Sequence, residues 1–512
     1  MKMKRTFAGL LAVLLLLAVF SGCDGGTRPS SSAPDTQGSG DSTPSSVSQS
    51  KEPEEEPYVV NVMNIHSAKT EDCEEVSAYI SSLTRDLVGA EVQIIPGITS
   101  EQINLALTSG EKMDILGVFS WISPLSSLVA NGQLLPMTGL LEEYGQETLG
   151  MISEADWKCV TFNGEIYGVP MNKDKAQSKA LQMSKKYVDQ LGIDPTTIHT
   201  MDDVEEVLRK VKAELPDVYP LVSNGGGSII HMIPVDDLGD GLGVIVDATK
   251  GDTTVVNLYE TAEYKEFADR MHRWAQEGLI MPDASSNTSS IEQHLGAGTG
   301  FAGFVTSKPG AVLQASREAS ADLVQSQIVE PFSTTTMVAC PYSIAASCEN
   351  PEKAMQVLNL MYTNADISNA FIYGLEGKHY QWIDKENNVV DYADGVTTEN
   401  TGYSVLGWAW PNQQVGAIWN GDDLDIWDQL SEFNATAAAS PAKGFVWDNS
   451  SVLNEITACQ NVVTKYQTGL ESGILDPDET LAQMNRELKD AGLDTIIAEK
   501  QKQLDTWLAS QE

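Results

Sequence analysis

Four tryptophans stand close together in the C-terminal third of the chain: Trp408, Trp410, Trp419 and Trp427. Flat indole rings stack on the C–H faces of pyranose rings, and their N–H groups can still hydrogen-bond to a hydroxyl. Neutral amide side chains, which suit hydroxyl partners, lie among them at Asn412, Gln413, Gln414 and Asn420. The pattern is typical of a site for a hydroxylated solute. The alternative is that the rings fill a hydrophobic core.

Trp408 and Trp410 alternate along the chain, so on a strand both rings would point to the same face. We therefore predict ligand contacts from Trp408, Trp410 and Trp419. Further ligand-binding candidates lie beside predicted strand ends, a predicted crossing segment and a Gly-rich turn, namely Trp121, Asn172, Tyr373 and Tyr380.

Motifs for catalysis, metal binding and nucleotide binding are absent or stand in the wrong context. The chain has no G-x-S-x-G nucleophile elbow, no H-E-x-x-H zinc motif and no G-x-x-x-x-G-K-[ST] phosphate loop. Gly298–Gly303 matches G-x-G-x-x-G, but a helix-like segment precedes it and a strand-like segment follows, the reverse of a dinucleotide site. The acidic run Gly421–Asp428 lacks the EF-hand order and reads as a solvated loop or helix start. We predict no catalytic residue, no metal site and no cofactor.

The elements that must position these candidates begin at Tyr58. Hydrophobic patterns predict three strands, at Tyr58–Met63, Glu91–Ile95 and Met113–Val118. A helix over Val76–Leu87 separates the first two, and a capping box at Thr99 opens a second helix that runs through Thr108. This alternation predicts a parallel sheet with right-handed crossovers. Ligands of such sheets lie at the carboxyl ends of the strands, here Asn64–Ser67 and Phe119–Ser123.

Later segments add a crossing and several helices. Ile166–Met171 reads as a short strand, but its Gly168 and Pro170 argue against an ordinary central strand and suit a crossing between lobes. Met337–Ala345 reads as a strand. Further helices are predicted from their caps and apolar faces at Thr200–Leu215, at Ala262–Glu277, after Asn350, after Asp476 and around Ile497–Leu508.

The N-terminus reads as an export signal. Lys2, Lys4 and Arg5 precede the apolar run Leu10–Phe20, which is too short to cross a bilayer as a permanent helix. The ending before Cys23 resembles the bacterial lipoprotein signal, in which that cysteine receives the lipid (palmitate) anchor. The alternative is an ordinary cleaved signal. Residues 23–57 have almost no large apolar side chain, which indicates a disordered tether.

Charge and cysteine content exclude other classes of protein. The net charge of −40 repels a phosphate backbone, so we predict no nucleic-acid binding and membrane contact through the lipid anchor only. No C-x-x-C occurs, which argues against zinc and thioredoxin-like sites. Cys340 and Cys348 are close enough in the sequence to pair, but five cysteines beyond Cys23 do not form a disulfide framework, and buried free thiols are the favoured state.

The order of these parts resembles the extracellular solute-binding lipoproteins of ABC transporters, family 1. The matching segments are Gly164–Asn172 (Gly-Glu-Ile-Tyr-Gly-Val-Pro-Met-Asn), Cys340–Tyr362, Tyr373–Tyr380 and the tail Lys465–Leu508. The last two look like the LipO-like subgroup, which has an extra C-terminal domain. The resemblance implies two α/β lobes of the type II periplasmic-binding-protein-like fold, hinge strands at Tyr167–Asn172 and Met337–Tyr342, and a ligand cleft at the lobe interface.

The resemblance also implies a function and a domain order. We predict a lipid-anchored monomer on the outer face of the bacterial cytoplasmic membrane, which captures a carbohydrate or oligosaccharide and delivers it to ABC permease subunits. The alternatives are a secreted glycoside hydrolase or esterase and a sensory lipoprotein without transport. The predicted order is signal peptide 1–22, tether 23–57, lobe 1 at 58–168, lobe 2 at 169–336, return crossing and lobe 1 at 337–385, and the remainder of lobe 2 with the C-terminal domain at 386–512.

Overall fold

The computed structural model describes residues 56–511 apart from 67–68, 98–101, 103–104, 107–108, 110–111, 120–122, 124, 228 and 339. Cys23, Trp121 and most of the helix predicted to begin at Thr99 lie outside the described residues, and what we expect of them stays a prediction. In the part of the chain that is described, no helix is long and apolar enough to cross a membrane.

The strands follow one another in chain order as β1 Tyr58–Ile65, β2 Ala90–Gly97, β3 Ile115–Gly117, β4 Thr161–Phe162, β5 Glu165–Ile166, β6 Gln177–Ser184, β7 Tyr219–Leu221, β8 Gly300–Ser307, β9 Leu323–Ser333, β10 Tyr342–Ile344, β11 Tyr380–Asp384, β12 Val389–Tyr392, β13 Ile418–Trp419 and β14 Ala438–Ala439.

The described α-helices are α1 Cys73–Val88, α2 Leu125–Ala130, α3 Thr138–Tyr144, α4 Gln146–Met151, α5 Glu154–Lys158, α6 Lys185–Leu191, α7 Met201–Glu214, α8 Ala262–Gln276, α9 Ile291–Gly296, α10 Ala311–Ala319, α11 Pro351–Thr363, α12 Ala365–Tyr373, α13 Ile426–Thr436, α14 Leu453–Glu471, α15 Pro477–Asp490 and α16 Leu493–Ala509.

The first sheet has the strand order β10-β3-β1-β2 and forms the centre of what we call lobe 1. β1 pairs in parallel with β2 and β3, as the sequence predicts, and β10 joins β3 in the antiparallel direction. The outer edge of β2 is covered by α1, because the backbone N–H groups of Val92 and Ile94 donate to the hydroxyls of Ser81 and Ser77 at 2.9 and 3.0 Å. These bonds satisfy edge groups that would otherwise be open to another strand.

The second sheet has the order β14-β9-β6-β8-β7 and forms the centre of lobe 2. β6 runs antiparallel to both β8 and β9, while β7 is parallel to β8. The capping box predicted at Thr200 and Asp203 is present at the start of α7. Gly298 lies in the turn from α9 into β8, and Gly300–Gly303 begins β8, so a helix precedes the motif and a strand follows, as its reversed context predicts.

The last three helices pack as a C-terminal bundle against residues 233–259 of lobe 2. Lys500 of α16 has no exposed side-chain surface; its Nζ lies 2.5 Å from Asp240 Oδ1 and donates to the carbonyl oxygens of Leu242 and Gly243. Trp447 Nε1 donates to the other carboxylate oxygen of Asp240 at 2.8 Å. Because a buried charge is tolerated only when it is paired and hydrogen-bonded, this ion pair fixes where α16 docks.

Two segments pair where the chain crosses between the lobes. Val169 and Tyr342 exchange backbone hydrogen bonds of 2.8 and 2.9 Å, and a Cβ on Gly168 would stand 2.8 Å from Pro341 Cβ. The strands predicted at Ile166–Met171 and Met337–Ala345 are wrong in extent. Among the described residues of these two segments, only those of β5 and β10 are strands, because Gly168, Pro170 and Pro341 interrupt the pairing.

A third connection between the lobes was not predicted. β13 belongs to a separate sheet, β11-β12-β13, which packs against Tyr373 at the end of the lobe 1 helix α12. α13 follows β13, and β14 then joins β9 in the lobe 2 sheet. Asn434 of α13 holds the first crossing, since it accepts from the backbone N–H of Lys175 at 2.6 Å and donates to the carbonyl of Lys173 at 2.8 Å. Residues such as Tyr403 and Trp410 pack in the lobe 1 core, whereas the predicted order groups 386–512 with lobe 2; the domain boundaries stay a prediction.

Replacing Lys500 with Ala leaves the Asp240 carboxylate buried without its cation. Removing one partner of a buried pair costs about 3–5 kcal/mol, and we expect the free energy of unfolding to fall by that amount. Lys502→Ala is the matched control on the same helix, because the Lys502 side chain is 73% exposed and pairs only at the surface with Glu499. Urea unfolding followed by circular dichroism measures both; equal losses in the two variants would contradict the assignment.

Candidate functional site

A cavity of about 480 Å³ lies between lobe 1 and lobe 2. Its lobe 1 wall comes from the end of α12, the segment 398–408 and β13 with the loop after it. Its lobe 2 wall comes from Lys308–Gly310 and α10, and α13 closes one side. The volume falls in the range of about 300–1,000 Å³ that is typical of small-molecule sites.

Trp408 lines the cavity and lies near the carboxyl end of the lobe 1 strand β3. It lies in the 3₁₀ turn Gly407–Ala409, and its ring meets the edge of Phe119, two residues beyond β3, at 6.2 Å between centroids and 76°. Lys173 Nζ donates to the Trp408 carbonyl at 3.1 Å and lies 5.4 Å from the ring centroid. Burial lowers the pKa of Lys173 from its usual value. The position agrees with the expectation that ligands meet such sheets at strand ends.

Three further predicted residues, Tyr373, Tyr380 and Trp419, also line the cavity. The centroid of the Tyr373 ring lies 5.6 Å from that of Trp419 and 5.8 Å from that of Tyr380, so the three rings form one surface, which we call the aromatic wall. The Tyr373 hydroxyl donates to the carbonyl of Ala417 at 2.8 Å, and burial raises its pKa. Burial also raises the pKa of Tyr380 to about 12. Both hydroxyls therefore stay protonated, and the rings offer apolar faces.

The Gly-rich turn between those tyrosines is held by His379. Its Nδ1 accepts the backbone N–H of Leu375 at 2.9 Å, and its Nε2 lies 3.0 Å from Asp72 Oδ2. A Cβ on Gly374, whose φ is +83°, would come within 2.4 Å of that Nδ1. Gly374 is thus required for the histidine to sit beneath the turn. The motif that carries the family resemblance orients the aromatic wall.

Trp410 does not line the cavity, which corrects its prediction as a ligand-binding residue. Its side chain is fully buried in the lobe 1 core, with its ring 4.8 Å from Phe371. The prediction assumed a strand, on which Trp408 and Trp410 would share a face. The 3₁₀ turn at Gly407–Ala409 has about three residues per turn, so positions two apart point in different directions.

Asn172 is also not part of the cavity wall. Its backbone N–H donates to the Pro411 carbonyl at 2.7 Å, and its Nδ2 contacts Asn412 Oδ1 at 3.2 Å and Gln414 Oε1 at 3.4 Å. These bonds join the first crossing to the segment after the tryptophans. The amide predicted to bind ligand is used instead to connect two parts of the chain.

An ion pair connects the two walls of the cavity, and it was not predicted from the sequence. Arg317 of α10 donates to both carboxylate oxygens of Asp422, in the loop after β13, at 2.6 and 3.3 Å. The side chains are 37% and 19% exposed. Asp422 belongs to the acidic run interpreted as solvated, and no local signal pointed to a partner more than a hundred residues away. Trp427 of α13 also lines the cavity.

The described residues were also compared with the arrangements that metal ions and disulfide bonds require. In the described residues, no cluster of three His, Cys, Asp or Glu side chains is arranged to hold a metal ion. The cysteines there (Cys73, Cys159, Cys340, Cys348 and Cys459) are free thiols, so Cys340 and Cys348 are not bridged. What the arrangement offers is apolar ring faces beside hydrogen-bonding side chains.

Comparison with known proteins identifies relatives along most of the chain. A curated relative from Streptococcus pneumoniae serotype 4, a carbohydrate ABC transporter substrate-binding protein, is 29% identical over 459 residues, which cover 87% of this chain and 90% of that protein. Residues 441–509 match the family model "Domain of unknown function (DUF3502)". That match contains the tail in which the sequence resembles an extra C-terminal domain.

Solved structures agree with the sequence relatives. The N-glycan transport solute binding protein NgtS of Streptococcus pneumoniae is 26% identical, with a TM-score of 0.79 over 89% of this chain and 100% of that one. Its complex with Man5GlcNAc has a TM-score of 0.72 at 26% identity, over 89% and 99% of the two chains. An extracellular solute-binding protein of Bifidobacterium longum subsp. infantis shares the fold at 17% identity, with a TM-score of 0.62 over 88% and 99%. The resemblance to solute-binding proteins of ABC transporters and the two-lobe α/β fold are confirmed.

The stability of two variants can distinguish the buried Trp410 from Trp408, which lines the cavity. Truncating a core tryptophan costs about 3–5 kcal/mol, so Trp410→Ala should lower the free energy of unfolding by that amount. Trp408→Ala should cost less than half as much, because one side of its ring faces the cavity. Guanidinium unfolding of both variants tests the assignment, and a larger loss for Trp408→Ala would contradict it.

The ion pair across the cavity should show a measurable coupling. Partly exposed pairs contribute about 0.2–1 kcal/mol, and we expect that coupling between Arg317→Ala and Asp422→Asn in a double-mutant cycle on unfolding. The matched cycle pairs Arg317→Ala with Asp423→Asn, since Asp423 is the adjacent carboxylate and accepts from Gln429 instead. Zero coupling to Asp422, or equal coupling to both, would show that the pair does not hold the walls together.

Proposed function

We propose that this protein captures a neutral oligosaccharide outside the cytoplasmic membrane and delivers it to an ABC permease. The observation that carries the proposal is the aromatic-walled cavity between two lobes, in a chain related over most of its length to carbohydrate substrate-binding proteins. The related NgtS was solved in complex with Man1GlcNAc and with Man5GlcNAc.

The wall chemistry supports a saccharide over other solutes. Trp408, Trp419 and Tyr373 present flat apolar faces, which suit the C–H faces of sugar rings. Gln413 and Ser404, also at the wall, supply neutral polar groups for hydroxyls. The charged pair Arg317 and Asp422 is mutually neutralised, so the cavity has no uncompensated cation there to attract a phosphate or carboxylate.

The connections between the lobes support capture by closure. The paired crossings at Val169 and Tyr342 and the third connection through α13 join two sheets that pack as separate units. Hinge closure about a few connecting residues is a common way to enclose a ligand. The ligand favours the closed form only through contacts that it makes with both walls. Lining residues from α10 and from segment 398–408 provide those contacts.

Location and partner are part of the proposal. Cys23 would carry the lipid, and the tether to residue 57 would let the lobes reach a permease in the same membrane. The relatives are binding proteins, and in this function no bond is made or broken. Steady product release from an oligosaccharide at catalytic protein concentration would instead favour the glycoside hydrolase that we considered from sequence.

Binding to Man5GlcNAc tests the proposal. Isothermal titration calorimetry should show one site per chain, and at a hundredfold excess over Kd the glycan should stabilise the fold by about 2.7 kcal/mol. Trp408→Ala should weaken binding at least tenfold, because a stacked sugar ring loses its platform. Trp507→Ala is the control: this tryptophan packs on Phe445 in the C-terminal bundle and leaves the cavity unchanged. No heat for neutral glycans, or equal losses in both variants, would contradict the proposal.

A further inference from the structure

A second cavity, of about 250 Å³, lies in lobe 2 on the other flank of α10. Its floor is formed by side chains of β6, β8 and β9, and its sides by α9 and α10. Lys308, Gln314 and Glu318 line both this cavity and the one between the lobes. The two cavities therefore adjoin each other along α10, at these three shared side chains.

The floor of the second cavity is a continuous chain of polar side chains. Ser307 donates to Gln325 at 2.5 Å, Gln325 donates to Gln182 at 2.8 Å, and Gln182 donates to Glu292 at 2.7 Å. Gln182 lies on β6, the central strand of the sheet, and is only 1% exposed. Buried amides are costly unless they are satisfied, and this chain fixes their orientation. Each amide nitrogen keeps a second N–H, which gives the floor donors as well as acceptors.

The charge of the second cavity is one-sided. Asp174, Glu292 and Glu318 supply carboxylates to its lining, whereas Lys308 is the one cation among the lining residues that the structure describes, and it lies 2.7 Å from Asp174. Burial and the nearby Glu292 raise the pKa of Glu318. A ligand carboxylate or sulfate placed here would face uncompensated negative charge. Hydroxyl groups, which donate to carboxylates, fit the same surface.

We propose that this second cavity is a subsite for a further uncharged sugar unit of a long or branched oligosaccharide, and that it rejects acidic sugars. The inference rests on the proposed function, because the first sugar units must occupy the cavity between the lobes. The polar chain from Ser307 to Glu292 binds the hydroxyls of the added unit. Length selectivity then comes from lobe 2, while the aromatic wall of lobe 1 holds the units common to short and long glycans.

Filling the second cavity with a bulky side chain tests the subsite. Ala311 lies on the α10 face that lines the second cavity and does not line the first. Calorimetry of Ala311→Trp should show at least a tenfold loss of affinity for Man5GlcNAc and less than a twofold change for Man1GlcNAc. Leu313→Trp is the matched control, because Leu313 lies on the same helix and lines neither cavity. It should leave both affinities within twofold.

The outcomes separate this inference from the proposed function. If wild-type protein binds both glycans and Ala311→Trp weakens them equally or not at all, the subsite is overturned while capture by the first cavity stands. If wild-type protein binds neither glycan, both proposals fail. Melting temperatures within a few degrees of wild type exclude unfolding of the variants as the cause. As a second measurement, Glu292→Gln with Glu318→Gln should raise the affinity for a sialylated pentasaccharide at least fivefold, and no change would contradict rejection by charge.

Discussion

The buried hydroxyl of Tyr342 ties together the parts on which the site depends. It lies 2.8 Å from the side-chain oxygen of Asn64, at the carboxyl end of β1, and 2.7 Å from the carbonyl of Ala409, in the turn that carries Trp408. The same residue pairs through its backbone with Val169 in the crossing between the lobes. Burial raises the pKa of this tyrosine well above its usual value, so the hydroxyl keeps its proton. This one residue therefore fixes the end of β1, the crossing between the lobes and the turn that carries Trp408 relative to each other.

A second buried tyrosine completes this arrangement. The hydroxyl of Tyr362, on α11, lies 2.9 Å from the carbonyl of Val169 and 3.1 Å from that of Pro170. Tyr362 thereby bonds the carbonyl of Pro170 in the first crossing, and it adds a second donor to the carbonyl of Val169, which also accepts from the backbone N–H of Tyr342. The crossing is thus held by side chains where a continuous ladder is broken. The side-chain hydrogen bonds keep the two crossing segments in register, while few backbone hydrogen bonds oppose a change in the angle between the lobes.

Local signals predicted the elements better than the contacts between them. The parallel start of lobe 1, the capping box at Thr200 and the helix-to-strand turn at Gly298 follow from spacing and caps, which act over a few residues. Trp408 and Trp410 could not be told apart, because their different orientations depend on one short 3₁₀ turn. The Arg317–Asp422 pair and the third connection through α13 join distant segments, and neither leaves a pattern in the local sequence.

The central claim is that an uncharged glycan is held against the aromatic wall between the lobes. A crystal structure of the protein soaked with Man5GlcNAc tests it most directly. We expect a sugar ring against Trp408 or Trp419, with further units extending past α10 toward Gln182. Glycan density confined to the outer surface of either lobe, with the cavity between the lobes unchanged, would contradict the account.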